Sequence, residues 1–316
     1  MEEQVLGYQS PLYGRRTSQY KIKPFSFFET CDYYKTFSYE EKALIYGLTS
    51  GIPLYLSLFR EDKSLKQNII DIFLSSNGYL FEEPTNLIKQ ECRDPSTYNS
   101  IIQAIALGAT KLSEISNQVG IETGLCTTYI KKLISLGIII KDTPIYKPSK
   151  KQTIYLLADH MFQFWYKFVL PNIPLINMGM GDRVYKKIEP HFYEFMGYIF
   201  EDICKQYLWL LNIHEELPLF FLKLGRWWGN DTRIKAEAEI DIVAYNDENQ
   251  ILIGECKWRN EDTDKKVLDK TIFRSELFSF LNKYIYLFSK SRFSSYCLEY
   301  AKNNPSVHLI TFEDII

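Results

Sequence analysis

The stretch Glu237–Trp258, EAEIDIVAYNDENQILIGECKW, decides how this chain is read. Two apolar-rich segments flank a short polar turn, and each alternates with a period of two, the spacing of a half-buried β-strand. In the first segment Ile240, Ile242 and Ala244 are expected on one face and Glu239 and Asp241 on the other. In the second, Glu255 and Lys257 lie two apart and share a face. A hairpin centred on Glu248 sets Asp241 directly opposite Glu255, so two carboxylates and an ammonium meet at one end of it. Carboxylates this close either raise each other's pKa or hold a divalent cation, and oxygen donors suit Mg²⁺ or Mn²⁺. The expected ligands are Asp241, Glu255 and the Cys256 carbonyl, with Lys257 placed to orient or deprotonate a water attacking a phosphate. The alternative is an exposed, salt-bridged hairpin.

Outward from the hairpin the pattern is α/β. A charged loop at 260–264 is followed by an expected helix from Lys265 to Phe280 and a strand from Lys283 to Phe288. A helix from Ser294 to Asn303 and a strand from Val307 to Thr311 complete the chain. On the other side an aromatic helix (Phe162, Phe164, Trp165, Phe168) precedes one long helix expected from about Val184 to Leu211. Residues 159–316 thus read as a mixed sheet flanked by helices. Residues 94–158 give three helices with tight turns at Gly108, Gly120 and Gly137, then two short strands joined by a basic loop, the order of a winged helix-turn-helix. Residues 1–93 form a helical module, with Ser38 and Glu41 as a capping box and Gly51 and Pro53 punctuating two helices. The fold class expected is multi-domain, α plus α/β.

From Thr123 to Lys151, Lys131, Lys132, Lys141, Lys147, Lys150 and Lys151 stand against one acid, Asp142. Such a cluster on a recognition helix and wing is suited to phosphates, DNA before RNA, although a wing docked on protein would also carry solvated lysines. The rest of the composition narrows the field. A chain of 316 residues exceeds one ordinary core, and 46% apolar with 24% charged residues is the globular balance. The net charge of −2 confines any nucleic-acid surface to a patch. No secretory leader is evident in MEEQVLGYQS, and the longest uncharged apolar candidate, 168–181, is short and broken by Pro171 and Pro174. Six scattered cysteines without CxxC read as free thiols of a reducing cytoplasm, with no membrane partner expected. Trp227–Trp228 could stack on bases or form a buried pair, and His191 and His214 lack metal-ligand spacing.

The pattern D-x(n)-E-x-K at Asp241, Glu255 and Lys257 resembles the PD-(D/E)XK nuclease superfamily. Gly197-Tyr-Ile-Phe-Glu201 matches its helical G-x-x-F-E pattern, which implies Glu201 as a further catalytic acid, while Ile240 replaces the signature proline. The segments DHMFQFWYKFVLPN (159–172) and GECKW (254–258) resemble the C-terminal domain of archaeal-type P-loop ATPases. SPLYGRRT (10–17) and KPFSFFE (23–29) look like the stretch after the ATPase core of those proteins, and TSGIP (49–53) like their lid motif, with Ser50 replacing a glycine.

That resemblance implies a lid, a winged helix and a nuclease-like domain, but G-x-x-x-x-G-K-[ST] is absent. The chain would then be a truncated or split relative, and ATP would enter only through a separate core, with Arg15 and Arg16 either reaching the nucleotide held there or forming a basic surface loop. Two functions are expected to compete. One is a metal-dependent nuclease aimed by a winged helix. The other is a non-catalytic, ATPase-associated adaptor with a nuclease-like fold.

Overall fold

The computed structural model describes residues 17, 18, 20 and 22–316; Arg15 and Arg16 lie outside the described residues, as does the side chain of Lys150. The described residues begin with helices α1 (Phe27–Tyr33), α2 (Tyr39–Thr49), α3 (Pro53–Leu56), α4 (Leu65–Phe73) and α5 (Glu83–Glu91). Ser26 with Glu29 and Ser38 with Glu41 form complete capping boxes, and Pro53 starts α3 where its missing N–H costs nothing. At the end of α2 both Ser50 (φ 51°) and Gly51 (φ 69°) are left-handed. A Cβ on Gly51 would lie 2.0 Å from the Phe25 carbonyl oxygen, so only glycine fits there. Ser50 is retained for its hydroxyl, which donates to Asp159 Oδ1 at 2.6 Å and accepts from Met161 N at 3.2 Å.

Next come α6 (Pro95–Ala106), α7 (Leu112–Val119) and α8 (Thr123–Ser135), then an antiparallel hairpin of β1 (Ile139–Asp142) and β2 (Ile154–Leu157). A short α9 (His160–Phe164) runs into a π-turn at Trp165–Val169, followed by α10 (Ile173–Asn177) and α11 (Gly181–Ile188). The single helix expected from Val184 is two helices: α11 stops at a 3-10 turn, Glu189–His191, and α12 runs from Phe192 to Ile213. Pro190 lacks the N–H that a continuous helix needs.

The sheet has the order β3 (Leu224–Asp231), β4 (Ala236–Tyr245), β5 (Gln250–Lys257), β6 (Asn282–Ser289) and β7 (Val307–Thr311). The first three strands run antiparallel, while β6 and β7 run parallel to β5 through α13 (Lys265–Ser275) and α14 (Ser295–Asn303). The expected helix to Phe280 ends five residues early, because the chain turns to bury Phe278 against Tyr146 and Trp227. One apolar cluster fills the α12 side of the sheet with Ile242, Ala244, Leu252 and Cys256, and it continues through the N-terminal helices and α6–α10. A second cluster fills the α13–α14 side with Ile240, Val243, Ile251 and Ile253. Ile240 therefore faces away from Ile242 and Ala244, against the alternation expected from sequence. The cause is a β-bulge: Trp227 pairs with Ile240 and Gly225 with Val243, so Asp241 and Ile242 together oppose Arg226 alone.

The β1–β2 connection lies along β3. Ile145 N donates to Arg226 O at 2.9 Å, Gln152 Nε2 to Trp228 O at 2.8 Å, and Trp228 Nε1 to Gln152 O at 2.9 Å. Tyr146 packs edge-on against Tyr245 and Phe278. Trp227 and Trp228 are thus half-buried strand residues. No helix among the described residues is long and apolar enough to cross a membrane. Replacing Gly51 with alanine is expected to lower folding stability by at least the roughly 1–3 kcal/mol of a strained left-handed residue, whereas Ser50→Gly loses less; chemical denaturation of both variants checks this.

Candidate functional site

The register Ile242↔Gly254 and Tyr245↔Ile251 centres the hairpin on Glu248, as the sequence requires. A Cβ on Gly254 would stand 2.9 Å from Ile242 Cβ, so the absence of a side chain there lets the two strands close. Beyond Ile242 the paired ladder between β4 and β5 stops. Asp241 stands at this fork, and its Oδ2 accepts the Cys256 N–H at 2.9 Å, replacing the missing ladder bond.

Cys256 packs toward α12 beside Cys204, so its neighbours Glu255 and Lys257 point to the α13 side. Glu255 is buried. Its Oε1 accepts Lys257 Nζ at 2.6 Å, and its Oε2 lies 3.7 Å from Arg274 Nη1 without any hydrogen-bond partner. Burial, then the Asp241 charge, push the Glu255 carboxyl above its ordinary value. Burial disfavours the Lys257 ammonium, but Glu255 and Asp241 outweigh it and hold its pKa above the usual lysine value. Lys257 Nζ also reaches the Cys256 carbonyl at 3.1 Å. The lysine thus occupies two of the three expected cation ligands.

Glu201 comes from α12, on the opposite side of the sheet from Glu255. Its Oε2 is 3.6 Å from Lys205 Nζ and 3.7 Å from Arg226 Nε, while Arg226 also pairs with Glu239. Burial, followed by repulsion from Asp241, pushes the Glu201 carboxyl up to about 7. Asp241 is therefore the acid that couples to both others, and neither Glu201 nor Glu255 is a principal charge acting on the other. Glu255 and Lys257 thus stand on one side of the sheet and Glu201, reached from the helix as expected, on the other, with the Asp241 charge acting on both acids. Sequence reasoning missed Arg226, Lys205 and Arg274. Strand β3 hid Arg226, because LGRWWGND has no alternation to mark it.

Among the described residues no three His, Cys, Asp or Glu side chains form a metal cage. The donors nevertheless fit Mg²⁺, which is bound through one or two carboxylates with substrate phosphate completing its shell. Asp241 and Glu255 supply two carboxylates, and the buried Glu255 Oε2 accepts no hydrogen bond, with Arg274 3.7 Å away as its counter-charge. Of the sequence-selected lysines, Lys131 and Lys132 are exposed on α8, and Lys147 and Lys151 are exposed on the connection docked along β3. Lys147 Nζ stands 5.1 Å over the Tyr146 ring. Lys150 opens a 3-10 turn there.

Residues 165–268 match the family DUF234, described as archaea bacterial proteins of unknown function. An uncharacterized protein of Methanocaldococcus jannaschii is 35% identical over 293 residues, 90% of this chain and 63% of that relative. The chain thus spans less than two thirds of the relative's length. The crystal structure of a protein from Vibrio cholerae, VC1899, aligns with 76% of this chain and 54% of its own at 11% identity and a TM-score of 0.30, a superposition too loose to relate the two folds.

Proposed function

We propose that the chain is a nucleic-acid-binding, metal-dependent phosphodiesterase of PD-(D/E)XK type, with Asp241, Glu255 and Lys257 as its working residues. What carries the reading is Asp241 fixed at the strand fork by the Cys256 N–H, beside a buried Glu255 with an unpartnered oxygen. Asp241, Glu255 and the Cys256 carbonyl would hold Mg²⁺ or Mn²⁺, which when bound neutralises phosphate charge and makes a bound water acidic. Lys257, already 2.6 Å from Glu255, turns from one of its present partners to steady the attacking water or the phosphate oxygen. Glu201 stays across the sheet, where the Asp241 charge helps keep its carboxyl raised. The helix-turn-helix reading of residues 94–158 supplies binding through Lys131 and Lys132 on α8, and through Lys147, Lys150 and Lys151 of the connection docked along β3. A separate ATPase core as partner belongs to the same proposal and rests on the sequence resemblance alone.

One observation favours the adaptor alternative. Glu255 has Lys257 and Arg274 as counter-charges, and Glu201 has Lys205 and Arg226, so the site is neutralised without a metal. Cleavage decides between the two. Plasmid and single-stranded DNA should be cut in Mn²⁺ or Mg²⁺ but not in EDTA, and Asp241→Asn and Glu255→Gln should abolish cutting with the fold intact. Lys257→Ala should slow turnover by about 10²-fold or more with Mn²⁺ affinity little changed. Wild-type protein that binds DNA and never cuts it would establish the adaptor.

Salt dependence tests the binding surface. Charge reversal at Lys131 and Lys132 should lower the slope of log affinity against log salt by about 0.9 for each duplex phosphate that is no longer neutralised. Reversal at Lys147 and Lys151, on the docked connection, should change it less. Glu201 gives a pH signature of its own. Its carboxyl rises from an ordinary 4.5 to about 7 on folding, so the folded chain binds more protons in that window. Its contribution to stability is fully present below about pH 4.5, declines as pH rises toward 7, and is absent in Glu201→Gln. Denaturation of wild type and variant across pH 4.5–8 measures the difference.

A further inference from the structure

Arg226 alone opposes the bulge formed by Asp241 and Ile242. Its side chain is 15% exposed and lies between Glu201 and Glu239, yet its Nε is buried without a hydrogen-bond partner. A guanidinium held this way keeps an unused N–H inside a fork suited to phosphate. Above it lies a cleft of about 1220 Å³, bounded by Phe25 before α1, Leu156 of the β1–β2 hairpin, and Tyr198, Glu201 and Lys205 of α12. At its margin the β1–β2 connection is fastened to β3 by the Ile145 N–H on Arg226 O, so widening the cleft would break that bond.

The acids on this cleft are largely engaged with internal donors. Glu29 accepts the Ser26 N–H at 2.7 Å and hydroxyl at 2.8 Å. Asp202 accepts the Tyr46 hydroxyl at 2.7 Å and Gln206 Nε2 at 2.8 Å. Asp142 takes the Thr143 N–H at 2.9 Å, and Glu201 is paired with Lys205 and Arg226. Apolar side chains such as Phe25, Leu156 and Leu224 share the walls with polar ones, and Tyr198 is 52% exposed. A duplex hides its base faces and gains nothing from such walls, whereas a single strand presents bases to stack and phosphates to pair.

We propose that this cleft takes a single nucleic-acid strand and that Arg226 is its phosphate partner beside Asp241. The strand phosphate replaces the exposed Glu239 as the partner of the guanidinium, whose Nε stays on the Glu201 side. The idea rests on the phosphodiesterase reading for its purpose, but its test reads binding and stands apart from turnover.

The full chain carrying Glu255→Gln, in Mn²⁺, is titrated onto fluorescent oligothymidylate and onto a duplex at several KCl concentrations. Adding Arg226→Met should weaken single-strand binding and lower its salt slope by about 0.7, the share of one neutralised phosphate, while duplex binding stays unchanged. Arg226→Lys should restore the slope. Tyr198→Ala, at an exposed position that leaves folding intact, should weaken single-strand binding about tenfold because one base no longer stacks. A single-strand slope unchanged in folded Arg226→Met, or an equal weakening on duplex, overturns the assignment of Arg226. Should Arg226→Met fail to fold, unchanged single-strand binding by Tyr198→Ala overturns the cleft. Cleavage that survives Asp241→Asn sinks the phosphodiesterase reading and leaves these binding results as they are.

Discussion

The hydrogen bond from the Cys256 N–H to Asp241 Oδ2, 2.9 Å long, is the interaction on which the candidate site depends. Where β4 leaves β5 after Ile242, an N–H in the middle of the sheet would be without its ladder partner, at a cost of about 1–3 kcal/mol if left unmet. A carboxylate meets the need better than a carbonyl, because it accepts with a full charge. Engaged there, Asp241 lies close enough for its charge to act on Glu255 on one side of the sheet and on Glu201 on the other. The raised carboxyls of both neighbours follow from burial next to that charge.

The bulge and the close approach of strands at Gly254 are the backbone devices that make this fork. By letting two residues of β4 face one of β3, the bulge reverses the alternation and moves Ile240 to the opposite cluster from Ile242. It also brings Arg226 level with Asp241. The second framework is α12, anchored to the N-terminal helices where Tyr46 donates to Asp202 and the Phe27 N–H donates to Gln206 Oε1 at 2.8 Å. The helix carrying Glu201 is thereby tied to residues more than 150 positions earlier in the chain.

Much of this was legible in the sequence because local periodicity carried it. The alternation in Glu237–Trp258 and the odd turn length fix the register Ile242↔Gly254 that carries the hairpin up to Asp241 and Glu255, and the capping box at Ser38 marks a helix start. What escaped is non-local. A bulge is set by how β3 pairs with β4, so no count along β4 alone reveals that Ile240 changes face. Strand β3 lacks alternation, and its glycines and paired tryptophans make sense only with the β1–β2 connection lying over them. The break at Pro190 is local and readable, since a proline inside a helix removes an N–H that the ladder needs. The faces of Glu201 and Glu255 depend on which way Cys256 points, which is a matter of packing against Cys204.

The docked connection bears on how the chain can be divided. Strand β3 is the outer strand of the sheet, and unpaired outer strands template intermolecular pairing. Here the residues that occupy its exposed edge come from a hairpin some 80 positions earlier. A fragment beginning after β2 would keep all five strands, yet uncover Arg226 O, Trp228 O and the ring faces of Trp227 and Phe278 together. The sheet and the hairpin are sealed to each other like two halves of a seam, and the part that looks most independent in sequence is the part least suited to stand alone.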